Sequence, residues 1–145
     1  MPGADLENSI IEKEIKYFIK KKKNAYFYKS LGQTNYYSFL NQMDAMIGNS
    51  SSGILEMPYF NKATINLGNR QSGRAMSNSV VNSNIKKKNI LKSINKISSP
   101  NFQKIIKLKT NIYGSGGASK KIVKILNKIN LKNVLFKKFY DIPID

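Results

Sequence analysis

The stretch DAMIGNSSSGILEMPYFNKATINLG, residues 44–68, carries the pattern that decides the fold. DAMIG is short and apolar and ends in glycine, which is typical of a buried strand in a parallel sheet. ILEMPYF predicts a short helix that ends near Pro58, and ATINLG predicts a second buried strand. A strand, a helix and a strand joined by short loops indicate parallel pairing of the two strands.

The same alternation continues before this stretch. A first helix is predicted by apolar residues at helical spacing, namely Ile11, Ile15, Phe18 and Ile19. The aromatic run AYFYK at residues 25–29 predicts a strand, and NYYSFLNQMD at residues 35–44 predicts a second helix.

The alternation also continues after it, where SVVNS at residues 79–83 predicts a third strand. Two more helices are predicted by apolar residues at helical spacing, namely Ile90, Leu91, Ile94 and Ile97, and then Ala118, Ile122, Ile125, Leu126 and Ile129. The predicted fold class is therefore α/β, a Rossmann-like parallel sheet flanked by helices, with ligands at the carboxyl ends of the strands.

The composition excludes several kinds of chemistry. The 145 residues suffice for one packed core, and they include no cysteine and no histidine. Disulfides, thiolate nucleophiles, the usual zinc ligands and the usual general base are therefore absent. The sequence has no apolar run long enough for a bilayer and begins without a secretory-signal pattern, so we expect a cytoplasmic protein with no membrane partner.

The net charge of +17 raises the alternative of a nucleic-acid-binding protein, because clustered cations displace counterions from phosphate backbones. All but two of the 25 basic residues are lysines, and they are scattered along the chain. The runs at residues 20–23 and 86–88 fall where amphipathic segments expose them, so solvated faces are the favoured interpretation. Nucleic acid is therefore disfavoured as a partner.

The two arginines and one glutamate are placed differently from the lysines. Arg70 and Arg74 both lie in GNRQSGR, residues 68–74, and a guanidinium offers phosphate a two-pronged donor fork that an ammonium cannot reproduce. Their placement indicates anion binding, with chance placement on a solvated surface as the alternative. Glu56 is the one carboxylate in residues 45–140.

The polar run GNSSSG, residues 48–53, follows a predicted strand and precedes a predicted helix. Backbone amides and serine hydroxyls at a helix N-terminus attract an anion such as a diphosphate. Glu56, further along the helix, suits the paired hydroxyls of a ribose better than a phosphate, since like charges repel. Ordinary helix capping by serine explains the same residues, and this interpretation stays open.

Four motifs occur in order across residues 46–142, namely MIGNSSSGILEMPYF, ATINLGNRQSGR, IYGSGGASKKIVKIL and KKFYDI. Together they resemble the C-terminal half of the hydrolysing UDP-N-acetylglucosamine 2-epimerases, in the branch that serves sialic acid biosynthesis. Members of that family resemble GT-B glycosyltransferases, in which two Rossmann-like domains face each other and the C-terminal one holds most of the nucleotide. The resemblance implies binding of UDP or UDP-N-acetylglucosamine and no cofactor.

The resemblance also implies roles for individual residues. Ser50 and Ser51 would bind the diphosphate, and Glu56 would bind the ribose hydroxyls. Arg70 would contact the phosphate end of the substrate.

The segment YKSLGQ, residues 28–33, resembles the loop beside the uracil, which implies backbone contacts near Leu31. Lys29 matches a position that contacts an inhibitory nucleotide sugar in some members of the family.

Other features depart from the family. MPGAD at residues 1–5 resembles a proline-asparagine-alanine-aspartate stretch inside the family's C-terminal domain, with Gly3 in place of the asparagine. We therefore expect the chain to begin partway through that domain. Residues 1–130 would be a partial UDP-binding domain, and residues 131–145 would be a tail that packs on the N-terminal domain.

The family's catalytic carboxylates belong to its N-terminal half, which implies no catalytic residue in this chain. A single glutamate committed to ribose cannot run paired acid–base chemistry, so we expect the chain to be inactive as an epimerase by itself. A separately encoded N-terminal epimerase domain is an expected partner, and self-association into a homo-oligomer is open.

In YGSGGAS, residues 113–119, Ser115 stands where relatives commonly have aspartate. The glycines fit a phosphate loop, but a tight entry turn with Ser115 as the helix cap is the favoured interpretation.

A GT-B glycosyltransferase-like binding domain is a further alternative for the function of the chain. It is disfavoured because GNRQSGR and KKFYDI look specific to the epimerases.

Overall fold

The structure is a computed structural model that describes residues 8–108, 112–130 and 132. The chain divides into two compact units, Met1–Ile112 and Tyr113–Asp145. None of the described helices combines the length and the apolar character needed to cross a membrane.

The first unit contains a sheet of three parallel strands in the order β1 (Ala45–Gly48), β2 (Ala63–Leu67) and β3 (Val80–Ser83). All three strands were expected from their apolar sequences, and the predicted Rossmann-like α/β fold with a parallel sheet is confirmed. Because the strands are parallel, the loops that follow them leave from one edge of the sheet.

Helical segments precede, separate and follow the strands along the sequence. The described residues form α1 (Asn8–Lys21), α2 (Gly32–Gln42), α3 (Ser52–Leu55), a 3₁₀ helix (Met57–Phe60), α4 (Lys87–Ile97), α5 (Pro100–Lys107) and α6 (Ala118–Leu126). The helix expected to end near Pro58 is confirmed in outline, since α3 ends at Leu55 and Pro58 lies in the 3₁₀ helix.

Alternate residues of β2 face two helical layers. Ala63 and Ile65 belong to a buried cluster with residues of β3, α4 and α5, namely Val81, Ile97, Phe102 and Ile106. Thr64 faces the other layer, where its hydroxyl donates to the Gly53 carbonyl of α3 at 2.7 Å. Both faces of the central strand are thus covered, so its first four residues are buried whether they are apolar or polar.

The layer on the α3 side is closely packed. A Cβ added at Gly53 would lie 2.6 Å from Thr64 Cγ2 and 3.3 Å from Met46 Sδ. Glycine therefore lets α3 approach β1 and β2 more closely than any other residue would. Leu40 of α2 and Ile54 of α3 are both fully buried.

The sequence pattern did not reveal α5. Its start carries a local signal, because Ser99 is the N-cap and accepts a hydrogen bond from the Phe102 N–H at 3.3 Å, with Pro100 in the first turn. Phe102 and Ile106 are buried and attach this short helix to the core.

The strand expected at AYFYK, residues 25–29, is wrong. The segment forms no strand, and β1, to which it would have to pair, is an edge strand of the described sheet. Aromatic residues favour a strand only where a neighbouring strand supplies the hydrogen-bond ladder. Here the segment packs on α2 instead, with the rings of Tyr28 and Phe39 edge to face at 6.3 Å.

The second unit contains α6, as its apolar spacing predicted. The cap expected at Ser115 is wrong, because α6 begins after Gly117, which is the N-cap and forms no side-chain cap bond. Gly116 and Gly117 have φ values of 94° and 76°, so the entry turn uses left-handed glycines in place of a hydroxyl cap. The predicted tail lies outside the described residues apart from Lys132.

Candidate functional site

The GNSSSG run forms the turn between β1 and α3. Ser51 is the N-cap of α3, but its side chain makes no cap hydrogen bond. The hydroxyl of Ser50 accepts from the Ser52 N–H at 3.3 Å. Among the described residues, no backbone carbonyl accepts from the N–H of Ser50 or Ser51. Two adjacent amides and the Ser51 hydroxyl are therefore open to an anion, whereas the Ser50 hydroxyl already accepts from an N–H of α3.

Ser52 links the start of α3 to Glu56 and to α2. Its hydroxyl donates to Glu56 Oε2, one helical turn further along the chain. The phenol of Tyr36 also bonds to this hydroxyl, and Tyr36 must be the donor because the single serine proton is used by the carboxylate. The three half-buried side chains form one hydrogen-bonded chain that orients the carboxylate.

The environment of Tyr36 favours its role as a donor. Burial raises the pKa of Tyr36 above its ordinary value of 10.0, and the nearby charge of Glu56 and the Tyr37 phenol raise it further. The phenol therefore stays protonated at neutral pH.

Tyr36 also lines a cavity of about 490 Å³ formed by the segment before α2. The other lining residues are Tyr28, Lys29, Ser30, Leu31, Gly32 and Gln33. Leu31 is half-buried and Lys29 is exposed. The predicted uracil segment thus borders the hydrogen-bonded chain that reaches Glu56.

Glu56 itself lines a second, largely apolar cavity of about 280 Å³. The cavity is otherwise bordered by Tyr37, Leu55, Tyr59 and Phe60. The rings of Tyr37 and Phe60 lie 6.2 Å apart and form one of its sides. A carboxylate at the rim of an apolar, aromatic cavity can accept hydrogen bonds from a ligand whose ring packs on the aromatic side chains.

The GNRQSGR segment follows β2 and reaches the GNSSSG turn through one side chain. Gln71 is 4% exposed, and its Nε2 donates to the carbonyl of Asn49 at 2.7 Å. Arg70 and Arg74 are exposed, and neither forms an ion pair with a carboxylate in the described part of the chain. Within the described residues, no hydrogen bond or ion pair joins Arg70 to Ser50, Ser51 or Glu56.

The sequence did not indicate Tyr36, Ser52 or Gln71 as site residues. A signal existed for Ser52, which precedes Glu56 by four residues on a helix and so lies on the same face. Tyr36 is sixteen residues from Ser52, and no local pattern connects the two.

Comparison with known proteins identifies the group to which this chain is related. Residues 1–127 match the family model described as UDP-N-acetylglucosamine 2-epimerase. The chain belongs to this family. The resemblance seen in the four motifs is thus confirmed.

Two bacterial proteins illustrate how similar this epimerase-family chain is to its relatives. It is 36% identical over 142 residues, 97% of its length, to the polysialic acid biosynthesis protein P7 of Escherichia coli. It is also 36% identical over 139 residues, 94% of its length, to a hydrolysing GDP/UDP-N,N'-diacetylbacillosamine 2-epimerase of Campylobacter jejuni. The match covers 36% of each relative, so the chain spans about a third of their length.

Proposed function

We propose that this chain binds UDP or UDP-N-acetylglucosamine and serves as the nucleotide-binding part of a hydrolysing UDP-N-acetylglucosamine 2-epimerase. The parent reaction converts UDP-N-acetylglucosamine and water to N-acetylmannosamine, or a related sugar, and UDP. The observation that carries the proposal is the hydrogen-bonded chain of Tyr36, Ser52 and Glu56, which holds a carboxylate beside two cavities.

In this proposal the ribose binds at Glu56. A carboxylate accepts hydrogen bonds from both hydroxyls of a ribose, and Ser52 already fixes the orientation of the group through Oε2. The second carboxylate oxygen, Oε1, remains an acceptor for the ligand. Fixing the side chain in advance reduces the entropy lost on binding.

The diphosphate binds at Ser50 and Ser51. Their backbone amides donate to no backbone carbonyl within the described residues, and the Ser51 hydroxyl makes no cap bond. Arg70 supplies a bidentate cation for the phosphate end of the substrate, since its exposed guanidinium forms no ion pair in the part of the chain that the structure describes.

The uracil lies near Leu31, in the cavity that Tyr36 also lines. Lys29 borders the same cavity, and we propose it as a contact for an inhibitory nucleotide sugar. The relatives named as epimerases of GDP- and UDP-linked sugars support a nucleotide sugar as the ligand.

We further propose that the 145-residue chain does not turn over the substrate by itself. Proton abstraction and return at a sugar carbon need paired acid and base groups, and the candidate site contributes one carboxylate. The reaction would require an N-terminal epimerase domain, which we propose as a separately encoded partner. Self-association of this chain into a homo-oligomer is compatible with that partner. The polysialic acid protein among its relatives supports a place in sialic acid biosynthesis.

Calorimetric titration of the purified chain with UDP tests this proposal, with CMP as the pyrimidine control. We expect saturable binding that prefers UDP and is about tenfold weaker in Glu56→Gln. Glu12→Gln is the matched control, because Glu12 pairs with Lys16 on α1 and has no role in the proposed site. A folded chain that binds no UDP at millimolar concentration, or binds it equally well as Glu56→Gln, would refute the assignment.

A further inference from the structure

Gln71 connects the two loops that follow β1 and β2. Its side-chain amide donates from Nε2 to the backbone carbonyl of Asn49 at 2.7 Å, and the residue is 4% exposed. Asn49 directly precedes Ser50 and Ser51. The bond therefore acts on the backbone next to the proposed diphosphate site.

The backbone ladder does not extend to this position. The pairing of β1 with β2 ends at Gly48 and Asn66. Asn49 lies one residue beyond the last pair, so the Gln71 side chain takes the place of the next ladder bond. The backbone of residues 49–51 is thus held by Gln71 at Asn49 and by the N–H groups of α3 at Ser50 and Ser51.

The same bond affects the second motif. Gln71 is buried beside the exposed Arg70, in a turn closed by the Ser72 N–H and the Asn69 carbonyl at 2.9 Å. Fixing Gln71 consequently limits the positions that the Arg70 backbone can occupy. One side chain thus constrains both segments to which phosphate contacts are assigned.

The carbonyl oxygen of the Gln71 side chain lowers the stability of the folded chain. Oε1 is buried and has no hydrogen-bond partner among the described residues. A buried acceptor without a donor destabilises the folded state, and an apolar side chain of the same shape removes that penalty. An amide side chain at position 71 is therefore explained better by its bond to the loop at Asn49 than by a gain in folding stability.

We propose that Gln71 is a positioning residue that holds the Asn49–Ser50–Ser51 backbone in the geometry that binds the diphosphate. This inference rests on the proposed UDP-binding function. Gln71 is proposed to act through the carbonyl of Asn49 and not by contacting the ligand.

Gln71→Met tests the inference, because methionine has a similar shape and no donor. We expect UDP affinity about tenfold lower and a melting temperature unchanged or raised. We also expect faster amide hydrogen exchange without ligand at residues 52–54, whose N–H groups donate to Ser50 and Ser51. Gln103→Met is the matched control, since Gln103 Nε2 donates to the Ile97 carbonyl at 2.8 Å between α4 and α5. The control should leave UDP affinity and exchange at residues 52–54 unchanged.

Unchanged affinity and exchange in Gln71→Met would overturn the inference. Parallel losses of affinity and melting temperature would also overturn it, because they indicate a purely structural role. A wild-type chain that binds no UDP would refute the proposed function, while the exchange measurement still decides whether Gln71 holds the loop. If Gln71→Met does not fold, Gln71→Asn replaces it, since it keeps the amide but shortens its reach.

Discussion

The hydroxyl of Ser52 donates a hydrogen bond to Glu56 Oε2, so the side chain that opens α3 orients the carboxylate one turn later. Tyr36 of α2 donates to the same hydroxyl. The carboxylate is thereby fixed from two elements that are distant in sequence. This arrangement is the central feature of the proposed ribose site.

Removal of the Tyr36 hydroxyl should weaken UDP binding without unfolding the chain. Tyr36→Phe leaves Ser52 without its donor, so the orientation of Glu56 is less restricted. We expect UDP affinity to fall about three- to tenfold by calorimetry, the usual range for one hydrogen bond. Tyr17→Phe is the control, because it removes a hydroxyl whose partner in the described part of the chain is Lys21 on exposed α1. Equal affinities for Tyr36→Phe and wild type would show that the network does not position Glu56.

The raised pKa of Tyr36 predicts a contribution to stability that depends on alkaline pH. Burial, the largest cause, makes the phenolate less favourable in the folded chain than in the unfolded chain. The contribution is fully present below the ordinary tyrosine pKa of about 10 and is lost as pH rises through the higher folded pKa. Denaturation of wild type and Tyr36→Phe across this range should show a steeper alkaline loss in wild type. Parallel curves for the two proteins would contradict the assigned environment.

Substitution of Gly53 should destabilise the fold through a contact with β2. The added methyl of Gly53→Ala would lie 2.6 Å from Thr64 Cγ2, which belongs to a buried side chain that cannot move aside. We expect a loss of about 1–3 kcal/mol in the free energy of unfolding, measured in urea.

A second substitution tests the cause of that loss. Thr64→Ser removes Cγ2 and keeps the hydroxyl that donates to the Gly53 carbonyl. The double variant Gly53→Ala/Thr64→Ser should therefore be more stable than additivity of the two single changes predicts. Additive losses would mean that the Thr64 methyl is not the obstacle.

Arg70 and Arg74 provide a comparison of two arginines within one loop. Arg70→Lys keeps the charge and removes the bidentate fork, and we expect UDP affinity to fall about tenfold. Arg74→Lys should have little effect. If the chain were instead a nucleic-acid-binding polycation, its affinity for RNA or DNA would fall steeply with salt and neither change would matter. Such a result would support the alternative raised by the net charge of +17.

The sequence predicted the elements whose signal is local. The patterns of the short strands β1 and β2 and the spacing of Ile90, Ile94 and Ile97 in α4 each depend on residues close together in the chain. The strand expected at residues 25–29 was wrong because strand formation depends on a distant neighbour that the segment does not have.

Part of the candidate site could also be predicted from the sequence. Glu56 and Arg70 were conspicuous because they are rare residue types placed inside motifs. Tyr36 and Gln71 could not be found this way. Tyrosine is common in this chain, and Tyr36 acts through Ser52 of α3, whereas Gln71 acts through the loop after β1. Such contacts depend on the packing of α2 and the two strand ends, which only the folded chain defines.

The most direct test of the UDP site compares UDP with 2′-deoxy-UDP on wild type and on Glu56→Gln by calorimetry. If Glu56 binds the ribose hydroxyls, wild type should prefer UDP about tenfold, and Glu56→Gln should lose most of that preference. The same preference in both proteins, or none in wild type, would contradict the assignment of Glu56 to the ribose.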